Sequence, residues 1–175
     1  MLSRRRFLSA VAAVPVLAAS RPLHAASLVP RELKFLHTHT GEKLTVEYFN
    51  AGTYLPDALD TVNHFLRDFR TGDVHAIDPS LLDLLNRLTT LTESKRPFEV
   101  ISGYRSPVTN AQLRSHSEGV AAHSLHMVGQ AIDIRLTDVP LKNLRAAALS
   151  ARIGGVGYYP ASNFVHVDTG RVRYW

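Results

Sequence analysis

Two short apolar segments each carry a polar residue where a structural strand would place Val or Thr, and this limits what the chain can build. In Ala131-Ile132-Asp133-Ile134-Arg135, strand alternation sends both isoleucines to one face and Asp133 to the other. In Phe164-Val165-His166-Val167-Asp168 the valines form one face, and Phe164, His166 and Asp168 share the opposite one. An Asp between isoleucines is costly to desolvate, so it needs a partner, and a cation serves. His126 arrives seven residues before Asp133, on a loop whose Gly129 lets the chain turn into the strand. Two imidazoles and one carboxylate make the three-ligand set of a catalytic zinc site with its fourth position open. From spacing alone, the same residues also read as a hydrogen-bonded His–Asp pair.

The chain has no cysteine, so disulfides cannot staple the fold and any metal must be held by His, Asp or Glu. The N-terminus reads as a targeting segment. Ser3-Arg4-Arg5-Arg6-Phe7-Leu8 leads into an apolar run to about Ala19, and no acidic residue occurs before Glu32. This predicts a secretory signal of the twin-arginine kind over residues 1–26, too short to span a membrane, with an uncleaved anchor as the alternative. Cleavage is expected after Ala25 or Ala26, with Ala18 or Ala19 the other position, leaving no stable membrane span. Four of the 20 Lys+Arg (Arg4, Arg5, Arg6, Arg21) lie in this segment, leaving 16 against 15 Asp+Glu. A mature domain of net charge near +1 gives nucleic-acid binding little support.

Residues 27–175 suffice for one domain with one core. Leu33 to His37 and Lys43 to Phe49 alternate around Thr40-Gly41-Glu42, predicting a hairpin. Helical spacing predicts helices from Pro56 to about Phe69, from Pro79 or Ser80 through Leu91 behind Asp78 as N-cap, around Thr109 to Ser115, and from Pro140 to Arg152. Further strands are expected at Phe98 to Ile101, Ala131 to Leu136, Gly157 to Tyr159 and Phe164 to Asp168, with a polar loop leading to His126. The pattern predicts an α+β domain built on a small, mainly antiparallel sheet flanked by helices.

Ser124-Leu125-His126-Met127-Val128-Gly129-Gln130-Ala131-Ile132-Asp133 resembles the S-x-H-x-x-G-x-A-x-D signature of D-Ala-D-Ala zinc metallopeptidases, a superfamily that includes lysostaphin-type enzymes and the hedgehog N-terminal domain. Ser102-Gly103-Tyr104-Arg105-Ser106 resembles its upstream S-G-[YF]-R-S element, and Phe164 to Asp168 its closing histidine strand. Leu66-Arg67-Asp68-Phe69-Arg70, Gly154 to Pro160 and Asp168-Thr169-Gly170 look like the murein endopeptidase K type of Gram-negative bacteria. The resemblance implies a hedgehog/D-Ala-D-Ala-peptidase-like fold, one Zn²⁺ held by His126, Asp133 and His166, and a periplasmic enzyme acting on peptidoglycan after export by the twin-arginine machinery. It implies hydrolysis of peptide cross-links, either D-Ala to meso-diaminopimelate or diaminopimelate to diaminopimelate, in cell-wall growth and remodelling. The alternatives are a D,D- or L,D-carboxypeptidase and a non-catalytic zinc- or murein-binding domain.

Arg105 matches the family arginine at the developing oxyanion, a role suited to a permanent bidentate donor; a loop-organising ion pair is the other reading. Ser124 is expected to contact substrate or orient the His126 loop. The general base departs from the family pattern. Asn163 stands where many relatives have an acid three residues before the last ligand, and Phe164 where lysostaphin-type enzymes have a histidine. Asn163 could at most position water. Asp168 is left as base or as orienting partner of a ligand histidine, with His123 as the weaker candidate. Tyr104, Tyr158 and Tyr159 are candidates for the cleft wall or for the core. Trp175 reads as a cap on the core, and His37, His39, His64, His75 and His116 as ordinary histidines.

Overall fold

The computed structural model describes residues 29–117 and 119–175, so the expected signal segment lies outside the described residues. Strands β1 (Arg31–His37), β2 (Lys43–Asn50) and β3 (Thr53–Tyr54) are followed by helices α1 (Pro56–Phe65) and α2 (Pro79–Thr92). Then come β4 (Phe98–Ser102), α3 (Pro107–His116), a 3₁₀ turn (Leu125–Val128), β5 (Ala131–Arg135), α4 (Leu141–Ala151), β6 (Gly155–Tyr159), β7 (Phe164–Asp168) and β8 (Arg173–Tyr174). All eight strands form one sheet in the order β3-β2-β1-β4-β5-β7-β6-β8. Pairing is antiparallel except between β1 and β4 and between β6 and β8. The α+β class holds, and two-residue edge strands widen the sheet beyond the expected core of strands. No helix among the described residues is long and apolar enough to cross a membrane.

Helix α2 shows how the sequence produces its element. Asp78 caps it by accepting from the Ser80 amide, Pro79 occupies the first turn where its missing N–H costs nothing, and Glu93 ends it in the left-handed region. Its leucines at 81, 82, 84, 85 and 88 are buried against the sheet with Leu33, Phe35, Val100, Ile132 and Ile134. Truncating one of them to Ala would cost about 2–5 kcal/mol. This layer makes the sheet a rigid platform, with Ile132 and Ile134 facing the core as their alternation predicts.

Helix α1 is four residues shorter than its apolar spacing predicts, and the site explains why. After Phe65 the chain turns, and the buried Asp68 carboxylate accepts from the amides of Arg70 and Ser106. The Leu66 carbonyl accepts from the Tyr104 amide. The residues that would have continued the helix instead anchor Tyr104–Ser106, the segment that carries Arg105.

Candidate metal centre

Strands β5 and β7 pair in a register that sets Asp133 directly opposite His166. Residues opposite each other on an antiparallel pair present their side chains to one face at close range. On the other side of β5, β4 carries an irregularity between Val100 and Ser102, so that Ser102 pairs with Asp133. A bulge of this kind bends and re-aims the strand end. Here it brings the Gly103 carbonyl within 2.8 Å of His126 Nδ1. His126 sits on the 3₁₀ turn, which Gly129 closes with φ of +67°. A side chain at 129 would collide with the Ala76 carbonyl, and the Gly129 carbonyl accepts from the Asp78 amide, so the turn is fastened to the start of α2.

His126, Asp133 and His166 are buried and converge. His166 Nδ1 lies 2.9 Å from Asp133 Oδ1, His126 Nε2 lies 3.3 Å from the same oxygen, and the two ring nitrogens are 3.2 Å apart. Bonds of about 2.0–2.1 Å in a tetrahedral zinc site imply ligand-to-ligand edges of roughly 3.3 Å, so this triangle has the size of a tetrahedron's face. The outer nitrogens decide the chemistry. With His126 Nδ1 donating to the Gly103 carbonyl and His166 Nε2 donating to Asp168 Oδ2 at 3.1 Å, both inner nitrogens carry lone pairs. Two lone pairs and a carboxylate oxygen then face one another without a hydrogen between them, an arrangement that a cation satisfies. The residues present therefore fit a metal ion.

Charge balance agrees. Burial alone would lower the pKa of His166, but the Asp133 and Asp168 carboxylates outweigh it and raise it. The same negative field would draw a metal cation. Burial would raise the Asp133 carboxyl, yet with a proton in the ion's place the imidazoles of His126 and His166 hold it well below the usual carboxylate range. Arg105 lies at the edge of the trio with its side chain 12% exposed and Nη2 3.8 Å from Asp133 Oδ2. Burial lowers its pKa, with Asp133 opposing. Its Nη1 reaches Asn110 Oδ1 at 3.5 Å, and its buried Nε has no partner among the described residues.

A cleft of about 620 Å³ opens over the trio. Ser124, His123, Tyr159, Phe164 and Trp175 line it, with Arg105 and Arg173 also at its surface. Asn163 and Trp175 stand elsewhere than the sequence suggests. Asn163 is an exposed residue with φ of +55° in the turn between β6 and β7 and does not line the cleft; Asn tolerates that conformation, which accounts for its presence. Tyr104, read as cleft wall or core, packs against the core and stacks on His75 at 4.8 Å. Trp175, read as a core cap, lines the cleft instead, with its ring 5.3 Å from that of His166 and its Nε1 donating to the Tyr159 hydroxyl at 2.7 Å. Tyr158 lies beneath the Arg145 guanidinium rather than in the cleft. Sequence reasoning missed Arg173, because nothing local marks an arginine whose partner lies on another strand.

An inward-facing His–Asp–His trio on a rigid sheet, open to a cleft beside a guanidinium, has the parts of a metallohydrolase. The comparisons give the family. A model described as peptidoglycan L,D-endopeptidase MepK matches residues 25–175. The peptidoglycan L,D-endopeptidase MepK of Escherichia coli (strain K12) is 46% identical over 177 residues, covering 99% of this chain and 97% of that protein. The probable peptidoglycan L,D-endopeptidase MepK of Haemophilus influenzae is 48% identical over 147 residues, covering 83% of this chain and 79% of its relative. The chain belongs to the peptidoglycan L,D-endopeptidase MepK family of M15 metallopeptidases.

Proposed function

We propose that this murein endopeptidase is a zinc enzyme that acts in the periplasm and cuts the peptide bond between two diaminopimelates of cross-linked stems. The observation that carries the reading is the convergence of three lone-pair donors, His126 Nε2, Asp133 Oδ1 and His166 Nδ1, at the floor of an open cleft. Of the two cross-links considered, D-Ala to diaminopimelate joins two D centres, whereas diaminopimelate to diaminopimelate joins an L to a D centre. The L,D designation of the relatives favours the second. The Ser3-Arg4-Arg5-Arg6-Phe7-Leu8 run supports export by the twin-arginine machinery.

His126, Asp133 and His166 would hold the ion, which when bound supplies Lewis acidity that acidifies water and polarises the scissile carbonyl. Arg105 offers a permanent positive charge for the oxygen that becomes negative as the carbonyl is attacked. Asp168 holds the Nε2 proton of His166. It does not act as base, because both of its oxygens are occupied by donors, from His166, Arg173 and the amides of Gly155 and Gly170. His123 is the one imidazole among the described cleft-lining residues outside the trio, which makes it the remaining candidate for the proton transfer. Ser124 lines the same cleft.

The test is digestion of sacculi containing both kinds of cross-link, followed by mass analysis of released muropeptides. Loss of diaminopimelate–diaminopimelate dimers, stopped by chelator and restored by zinc, is expected. Unchanged muropeptides at full zinc occupancy would overturn the enzyme reading. For export, changing Arg4 and Arg5 to Lys should leave the protein in the cytoplasm on fractionation; unimpaired export would refute the twin-arginine route.

A further inference from the structure

We infer that Arg173 is a positioning residue for the metal centre: it locks the Asp168 carboxylate, and through it fixes the tautomer and orientation of His166. The inference rests on the assignment of His166 as a metal ligand and extends it to a residue that never touches the ion.

Asp168 is fully buried. Arg173 grips it with both prongs, Nη2 to Oδ2 at 2.7 Å and Nη1 to Oδ1 at 3.1 Å. Such a fork-to-fork pair fixes the plane of the carboxylate as well as its charge. The oxygen held by Nη2 is the one that accepts from His166 Nε2 at 3.1 Å. If the carboxylate turned, Nε2 would lose its acceptor and the ring would be free to flip or to move its proton to Nδ1. Either change takes the lone pair away from Asp133 Oδ1 and His126 Nε2. A salt bridge that merely tied down the last strand would not need this directional link.

The surroundings hold the fork in place. Arg173 lies on β8 opposite Gly155 of β6, and its Nη1 also donates to the Arg171 carbonyl at 3.0 Å. A Cβ at Gly155 would strike Asp168 Oδ2 and come within 2.5 Å of Arg173 Nη1, so the space for the fork exists because residue 155 has no side chain. The Gly155 and Gly170 amides donate to Asp168 Oδ1 at 2.8 and 2.9 Å, fixing the other prong. On the cleft side the guanidinium lies 5.0 Å from the Trp175 ring, which itself stands against His166. The positioning chain therefore runs from β8 through β7 to the trio, crossing β6 where that strand is glycine.

The experiment compares the full protein with Arg173→Gln, Arg173→Lys and, as a control, Arg31→Gln. Arg31 pairs with Asp83 at 2.6 Å on the opposite half of the sheet, so its loss reports what breaking an Arg–Asp pair does to stability alone. Zinc affinity is measured on metal-free protein by competition with a chromophoric chelator, and coordination by the visible spectrum of the cobalt(II) form. Arg173→Gln is expected to weaken zinc binding about 10–100-fold, the scale typical of losing a residue that orients a ligand. Its cobalt bands should shift, while Arg31→Gln keeps wild-type affinity and spectrum. Arg173→Lys should fall between wild type and Arg173→Gln, since it restores the charge but not the fork. Wild-type affinity and spectrum in Arg173→Gln would overturn the inference. Should that variant fail to fold, Arg173→Lys decides: unchanged zinc affinity and cobalt bands there overturn it equally. Wild-type protein that bound no zinc would overturn the metal assignment itself, a result distinct from the others.

Discussion

The chain holds two clusters built around a carboxylate, one at each half of the sheet, and they differ in the balance of donors and acceptors. Asp83 on α2 accepts from the Arg31 guanidinium at 2.6 Å, the Tyr48 hydroxyl at 2.9 Å and the Tyr54 hydroxyl at 2.8 Å. Three donors meet one anion, and nothing is left over. Asp133 sits instead beside two imidazole nitrogens, at 2.9 and 3.3 Å, whose outer nitrogens each face an acceptor of their own, with Arg105 no closer than 3.8 Å. The first cluster closes on itself and fastens β1, β2 and β3 to α2. The second fits a metal ion. A surplus of buried acceptors, rather than the presence of His and Asp as such, separates a metal centre from a structural polar network.

The sharpest way to break this contrast is His166→Ala. Zinc content should drop to background and hydrolysis of cross-links should fall by about 10³-fold, the upper end of the scale for losing a group that carries transition-state charge. Retained zinc and activity would show that the trio is the wrong ligand set. Arg105→Gln should come next, with kcat lowered about 10²–10³-fold at unchanged zinc content. Zinc content lowered in step with kcat would instead make Arg105 part of the metal site's structure. Asp83→Asn should have the smallest effect, because its side chain is a third exposed and solvent screens the pair. A stability loss of about 1–2 kcal/mol in denaturant unfolding is expected, with zinc affinity and activity unaltered. A change in zinc affinity there would mean that the two halves are coupled.

Legibility in the sequence followed the range of the interactions. The alternation in Ala131–Arg135 and Phe164–Asp168 assigns the faces of two strands, and the Asp78-Pro79 signal starts α2, because each depends on neighbours a few residues away. The early end of α1 was not legible, since Asp68 leaves the helix to bind a backbone amide 38 residues on. Asn163 stood out in sequence as a missing acid, but its backbone conformation makes it a turn residue. Trp175 and Arg173 carried no local signal. They reach the site only because β8 pairs with β6, which sets both against the glycines of that strand, across which they approach β7.

By itself, then, the sequence determined the residue types of the centre, their strand faces and, through the motifs, the family expectation. Side-chain alternation and loop spacing are properties of the local chain. The tertiary structure decided which nitrogen of each histidine points inward and that both oxygens of Asp168 meet donors from Arg173 and the Gly155 and Gly170 amides. It also decided that Arg173 and Trp175 belong to the cleft. Those outcomes depend on which carbonyl, carboxylate or guanidinium arrives from another strand, and only the sheet order brings them together.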